Sequence, residues 1–123
     1  MKTLFSLFSK HPRSTMIVAI SWTTLIFIGC SMPGSLLPPV QLFTHFDKVV
    51  HLAFFFIFFL LWNLSFSPST KMALVLMAIS VAYGFGIEYY QLLFVKGRSF
   101  DVYDGLADTI GAALGWLCIK LYR

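Results

Sequence analysis

Three short groups of polar residues interrupt an otherwise oily chain of 123 residues, and each has a spacing that could do chemistry. In Asp47-Lys48-Val49-Val50-His51 the aspartate and the histidine are four apart and share a helix face. A helix-capping aspartate beside an interfacial lysine would explain Asp47 and Lys48, but not His51, which lies a turn deeper. In the second group Gly84, Glu88 and Gln91 fall at i, i+4 and i+7, one small and polar stripe on an apolar helix. Glu88 lies about 12 Å along that helix from Lys96, within hydrocarbon, where a carboxylate is costly unless paired. It therefore marks either a functional site or an interior ion pair. The third group runs from Lys96 to Asp108. A helix beginning near Ser99 would set Asp101, Asp104 and Asp108 at i, i+3 and i+7 on one face. Capping by Ser99 with acids in the first turn would account for the first two aspartates, worth about 0.3–1 kcal/mol each. Asp108 is two turns in, beyond that effect.

If the three groups meet, Arg98 would grip a phosphate or carboxylate through two bonds while Glu88 or His51 acts as general base. Glu88 and His51 are the catalytic candidates; Asp47, Lys48, Gln91, Arg98, Ser99, Asp101, Asp104 and Asp108 are the candidate ligand-binding residues. The same oxygens would also hold a divalent cation, and an internal salt-bridge network would use the same side chains. Cys30 and Cys118 lack the close His or Cys neighbours of a zinc site and read as small apolar residues, so no metal centre is assigned and the cofactor is left open.

The elements that must position these residues follow from composition. The chain is 59% hydrophobic and only 11% charged, against about 25% charged in a soluble domain. The net charge of +4 is carried by residues scattered singly at the ends of apolar runs, which are topology signals rather than a nucleic-acid surface. The fold class expected is all-α: a four-helix transmembrane bundle with spans near 15–30, 48–66, 72–95 and 100–121, preceded by a short basic amphipathic interfacial helix within 1–14. Met32-Pro33-Gly34 stops the first span. Ser35 to Phe46, broken by Pro38-Pro39, is expected to lie along the outer interface or dip back under cover of protein. Phe27-Ile28-Gly29-Cys30 loosely resembles a lipoprotein cleavage box, but three further spans argue against a removable leader. Gly111 and Gly115 read as a close helix-packing stripe.

Lys2, Lys10, Arg13, Lys71, Lys120 and Arg123 fall at one end of the spans, and Lys48, Lys96 and Arg98 at the other. The positive-inside rule then places both termini in the cytoplasm and all five acids in the outer half.

Asp47-Lys48-x-x-His51, Tyr83-Gly84-x-x-Ile87-Glu88-x-x-Gln91 and Gly97-Arg98-Ser99-x-Asp101-x-x-Asp104-x-x-Ala107-Asp108-x-x-Gly111-x-x-x-Gly115, in this order at the ends of successive apolar spans, resemble the VanZ-like family of small bacterial membrane proteins. The likeness runs from about Asp47 to Gly115. It implies a four-span protein of the bacterial cytoplasmic membrane, in a family named for a member associated with resistance to the antibiotic teicoplanin. The family pattern picks out Asp47, Lys48, His51, Glu88, Gln91, Arg98, Asp101 and Asp104. Asp108 departs from it, since asparagine is common there; Asp108 is thus better seen as a hydrogen-bonding member than as an obligatory acid. The function expected is an outward-facing polar site for a membrane lipid headgroup, a lipid-linked cell-wall precursor or a glycopeptide antibiotic. A hydrolase or transferase acting on a phospho-lipid, and a non-catalytic assembly protein, are the alternatives.

Overall fold

The computed structural model describes residues 1–37 and 43–123. Among these the chain is all-helical: α1 (Lys2–Lys10), α2 (Pro12–Cys30), a 3-10 turn (Gly34–Leu36), α3 (Phe46–Leu64), α4 (Thr70–Phe94) and α5 (Val102–Tyr122). Pro38-Pro39 and the centre of the expected interfacial stretch lie outside the described residues.

The amphipathic α1 buries Phe5 in a cluster with Phe59, Leu64, Ala73, Leu76, Ala112, Cys118 and Ile119. Phe5 also meets Tyr122, with ring centroids 6.1 Å apart, so the two chain ends share one end of the bundle. The chain turns at His11. Pro12 takes the first position of α2, where its missing N–H costs nothing, which is why α2 starts earlier than the apolar run suggested. Thr15 Oγ1 closes this corner by donating to the carbonyls of Phe8 (2.7 Å) and His11 (3.0 Å).

The central contact is α3 on α5, made close by small residues. A side-chain carbon on Gly111 would collide with the Leu52 carbonyl, and one on Gly115 would lie 3.0 Å from the Phe56 carbonyl oxygen. At the opposite end from the termini, the Gly34 N–H donates to the Lys96 carbonyl (3.1 Å), tying the strap after α2 to the turn after α4. Gly97 has φ +76°, and an added carbon on Gly34 would stand 2.5 Å from the Gly97 carbonyl oxygen. Both positions need glycine.

Apolar side chains both fill the core and cover the outside, and the buried polar residues are enclosed among them. Ile17, Leu25, Ile28, Leu74, Ile79 and Leu93 are exposed, whereas Ser80, Glu88, Gln91 and Asp108 are buried. Three helices, α2, α3 and α4, are long and apolar enough to cross a membrane. The 21-residue α5 stands outside that set and carries Asp104 and Asp108.

Helix starts correct two capping assignments. Ser99 does not cap α5; the Asp101 side chain does, accepting from the Tyr103 N–H at 2.9 Å, so the helix begins two residues later than Phe100. Asp47 is not a cap either. It lies in the first turn of α3, behind His45, which takes φ 63° and makes no side-chain cap bond. Its acid acts there through the positive helix end and through Lys48.

Candidate functional site

The start of α3, the last third of α4 and the start of α5 converge at the end of the bundle opposite the termini, and they bring together the polar groups singled out above. Lys48 is the hub. Its Nζ donates to Asp47 Oδ2 (2.7 Å), Asp101 Oδ2 (2.7 Å) and Asp104 Oδ1 (2.8 Å), three acids from two helices and a loop. One turn deeper, His51 Nδ1 is 2.9 Å from Asp108 Oδ1, and His51 Nε2 stands 3.7 Å from Asp104 Oδ2. The i, i+3, i+7 spacing of the α5 acids thus gives a graded column: Asp101 at the rim, Asp104 shared, Asp108 fully buried.

Glu88 is also fully buried. Its Oε2 accepts from the Asp101 backbone N–H at 2.9 Å, while its Oε1 has no hydrogen-bond partner among the described residues. An ion pair of Glu88 with Arg98 or Lys48, which the sequence suggests for a carboxylate in hydrocarbon, does not form. The backbone amide at the α5 cap takes that place, because Asp101 is extended and turns its N–H inward toward α4. Gln91, on the same stripe, donates through Nε2 to the Cys30 carbonyl (3.0 Å) and so caps the end of α2.

Arg98 and Ser99 line a cavity of about 560 Å³ together with Gln91, Asp47, His51, Asp101 and Asp104. Met32, Leu37, Phe46, Val50 and Phe54 supply its apolar wall. Of the two catalytic candidates, His51 lines this cavity; Glu88 is not among the lining residues, and neither is Asp108. Among the described residues Arg98 makes no ion pair, so its half-buried guanidinium is the cation of the site left for something else.

The Lys48 ammonium holds the Asp101 carboxyl below the usual aspartate range. Stability from this pair is therefore fully present above the ordinary aspartate pKa and is lost as pH falls through the lowered value.

Several ties escaped sequence reasoning. Thr23 joins three helices, its carbonyl accepting from Tyr83 Oη (2.8 Å) and its Oγ1 from Trp62 Nε1 (3.0 Å). Trp22 Nε1 donates to the Phe54 carbonyl at 3.0 Å. At the far end Arg123 clasps Asn63 through its carbonyl and Oδ1, both at 2.9 Å. Asn63 alone carried a signal, as an amide inside the oiliest run of the chain.

A helical protein with membrane-length apolar helices and, at one end, a carboxylate–lysine–histidine cluster that runs from an exposed rim to a buried floor is what fold and site define. The chain matches the VanZ/LLP1 family over residues 3–123 and belongs to it. It is similar to an uncharacterized protein of Schizosaccharomyces pombe, 36% identical over 82 residues; the match spans 63% of this chain and 48% of the relative, about half the relative's length. No solved structure matches.

Proposed function

We propose that the chain is a four-span bundle of the bacterial cytoplasmic membrane, with both termini cytoplasmic, whose outward cavity binds the anionic head of a membrane lipid or lipid-linked precursor. The observation that carries this reading is Arg98: a guanidinium without an ion pair among the described residues, lining a cavity with one polar and one apolar wall. That is the lining an amphiphile needs, with fork-shaped donors for a phosphate and phenyl rings for its chains. Crossing by α5 is supported by its length and by the outward stripe Leu106, Ile110, Leu114, Leu117 and Leu121, while its acids turn inward. A yeast relative weighs toward a phosphate-bearing lipid over a glycopeptide antibiotic or a wall precursor as the ligand.

Two measurements test it. A reporter active only outside the cytoplasm is expected to be active when fused after Gly97 and silent after Ser69 or Arg123; the reverse pattern would put the cavity on the cytoplasmic face. Native mass spectrometry of the purified protein is expected to show retention of phosphatidylglycerol over phosphatidylcholine. Arg98→Lys removes the planar fork and with it a charge-assisted bond worth about 1.5–3 kcal/mol, so retention should fall at least about tenfold. Equal retention of both lipids by the unaltered chain would contradict the headgroup reading.

A further inference from the structure

The inner half of the cluster is built differently from its rim. At the rim, Asp47, Asp101 and Asp104 surround the Lys48 ammonium at 2.7–2.8 Å, so a cation position there is already filled by a side chain. Deeper in, His51, Glu88 and Asp104 each offer a ligand atom, and these atoms lie within 4.8 Å of one another. All three residues are buried; Asp104 gives only its Oδ1 to the Lys48 ammonium and turns Oδ2 toward His51, and Glu88 Oε1 is enclosed without a hydrogen-bond partner among the described residues. Among the described residues Lys48 is the one lysine or arginine that pairs with any of the chain's five side-chain carboxylates.

We propose that His51 Nε2 and the carboxylates of Glu88 and Asp104 form a binding site for a divalent transition-metal ion of the zinc or manganese class. His51 is already arranged as a ligand. Asp108 accepts at its Nδ1, which fixes the ring and leaves Nε2 directed to Asp104, the carboxylate–histidine pairing that orients metal-bound imidazoles. The imidazole selects a zinc-class ion over Mg²⁺ or Ca²⁺, which prefer oxygen alone. Ligands about 2.0–2.2 Å from such an ion stand roughly 3.4 Å apart in a tetrahedron. The 3.7 Å between His51 Nε2 and Asp104 Oδ2 is already close to that, and the 4.8 Å limit on the set leaves at most about 1.4 Å of contraction. Three protein ligands leave a coordination position open, and His51 and Asp104 both border the cavity. The site stands without the lipid reading, and it is tested with metal alone.

The test uses the full chain with its affinity tag removed and the exposed His11 and His45 replaced (His11→Ala, His45→Asn), so that His51 is the one imidazole left of three. After chelator treatment, calorimetric titration with Zn²⁺ and Mn²⁺ is expected to give one ion per chain for at least one of them, with Mg²⁺ and Ca²⁺ at least about tenfold weaker. Glu88→Gln and Asp104→Asn should each weaken binding at least tenfold in protein of unchanged helicity. Asp108→Asn keeps an oxygen for the His51 N–H and should stay within tenfold. X-ray absorption of the Zn²⁺-loaded protein should show one imidazole and oxygen neighbours, which decides the matter if the ligand variants fail to fold. Absence of binding, binding indifferent to both ligand variants, or an absorption spectrum without imidazole would overturn the site and leave the cluster neutralised by protons.

Discussion

Lys48→Met should lower the unfolding free energy of the purified protein by about 3 kcal/mol, the lower end of the cost of stranding buried charges. Of the three carboxylates that share this one ammonium at 2.7–2.8 Å, Asp47 and Asp101 have side chains 48% and 35% exposed and regain water, whereas the Asp104 side chain is only 10% exposed and is left stranded. The lower end applies because the Lys48 side chain keeps 20% exposure. Methionine matches the stem in length and removes only the charge. Adding Asp104→Asn to the variant relieves the deepest of the three acids and should recover at least about 1 kcal/mol, the coupling expected of groups in one network. Denaturant titration in mixed micelles, with helicity as the signal, measures all four corners of the cycle. A loss under about 0.5 kcal/mol for Lys48→Met would mean that the pairs are screened like surface salt bridges.

Gly111→Val should have the second large effect. A carbon on Gly111 would collide with the Leu52 backbone carbonyl, and a backbone atom cannot rotate out of the way as a side chain can. Helix α5 must then lift from α3 along the tightest contact of the bundle, which costs at least the about 1–3 kcal/mol of overpacking a core. The lift also pulls Asp104 and Asp108 away from Lys48 and His51. Folded protein recovered after extraction should fall several-fold. Gly86→Ala is the matched control: nothing lies within 4 Å of the added carbon, and alanine is favoured in a helix by about 1 kcal/mol over glycine. Equal recovery of Gly111→Val and the unaltered chain would contradict the packing account.

Much of the site was legible because ionisable residues are few in this chain and stand out against apolar helices. The spacing of Asp101, Asp104 and Asp108 put three acids on one face, and the structure brings the first two to Lys48 and the third to His51, while Asp47 meets Lys48. Partner choice was not legible. Glu88 takes a backbone N–H, which has no side-chain signature, and not the interior ion pair that a carboxylate in hydrocarbon suggests. The cap of α5 moved from Ser99 to Asp101 because the turn through Gly97, with φ +76°, delays the helix, and that dihedral is a tertiary choice fixed by the Gly34 strap. The small residues at 111 and 115 announced a close contact without saying which helix it faces. Thr23 could not be foreseen as a three-helix tie, since its role depends on how far α2 is rotated toward α3 and α4.

The most direct test of the anionic-headgroup site is a structure of the protein in nanodiscs rich in phosphatidylglycerol. Density for a phosphate within hydrogen-bonding distance of the Arg98 guanidinium, with acyl chains passing Phe46 and Phe54, is the result expected. Arg98 turned to bulk water, with lipid density confined to the outer faces of α2 and α4, would contradict it.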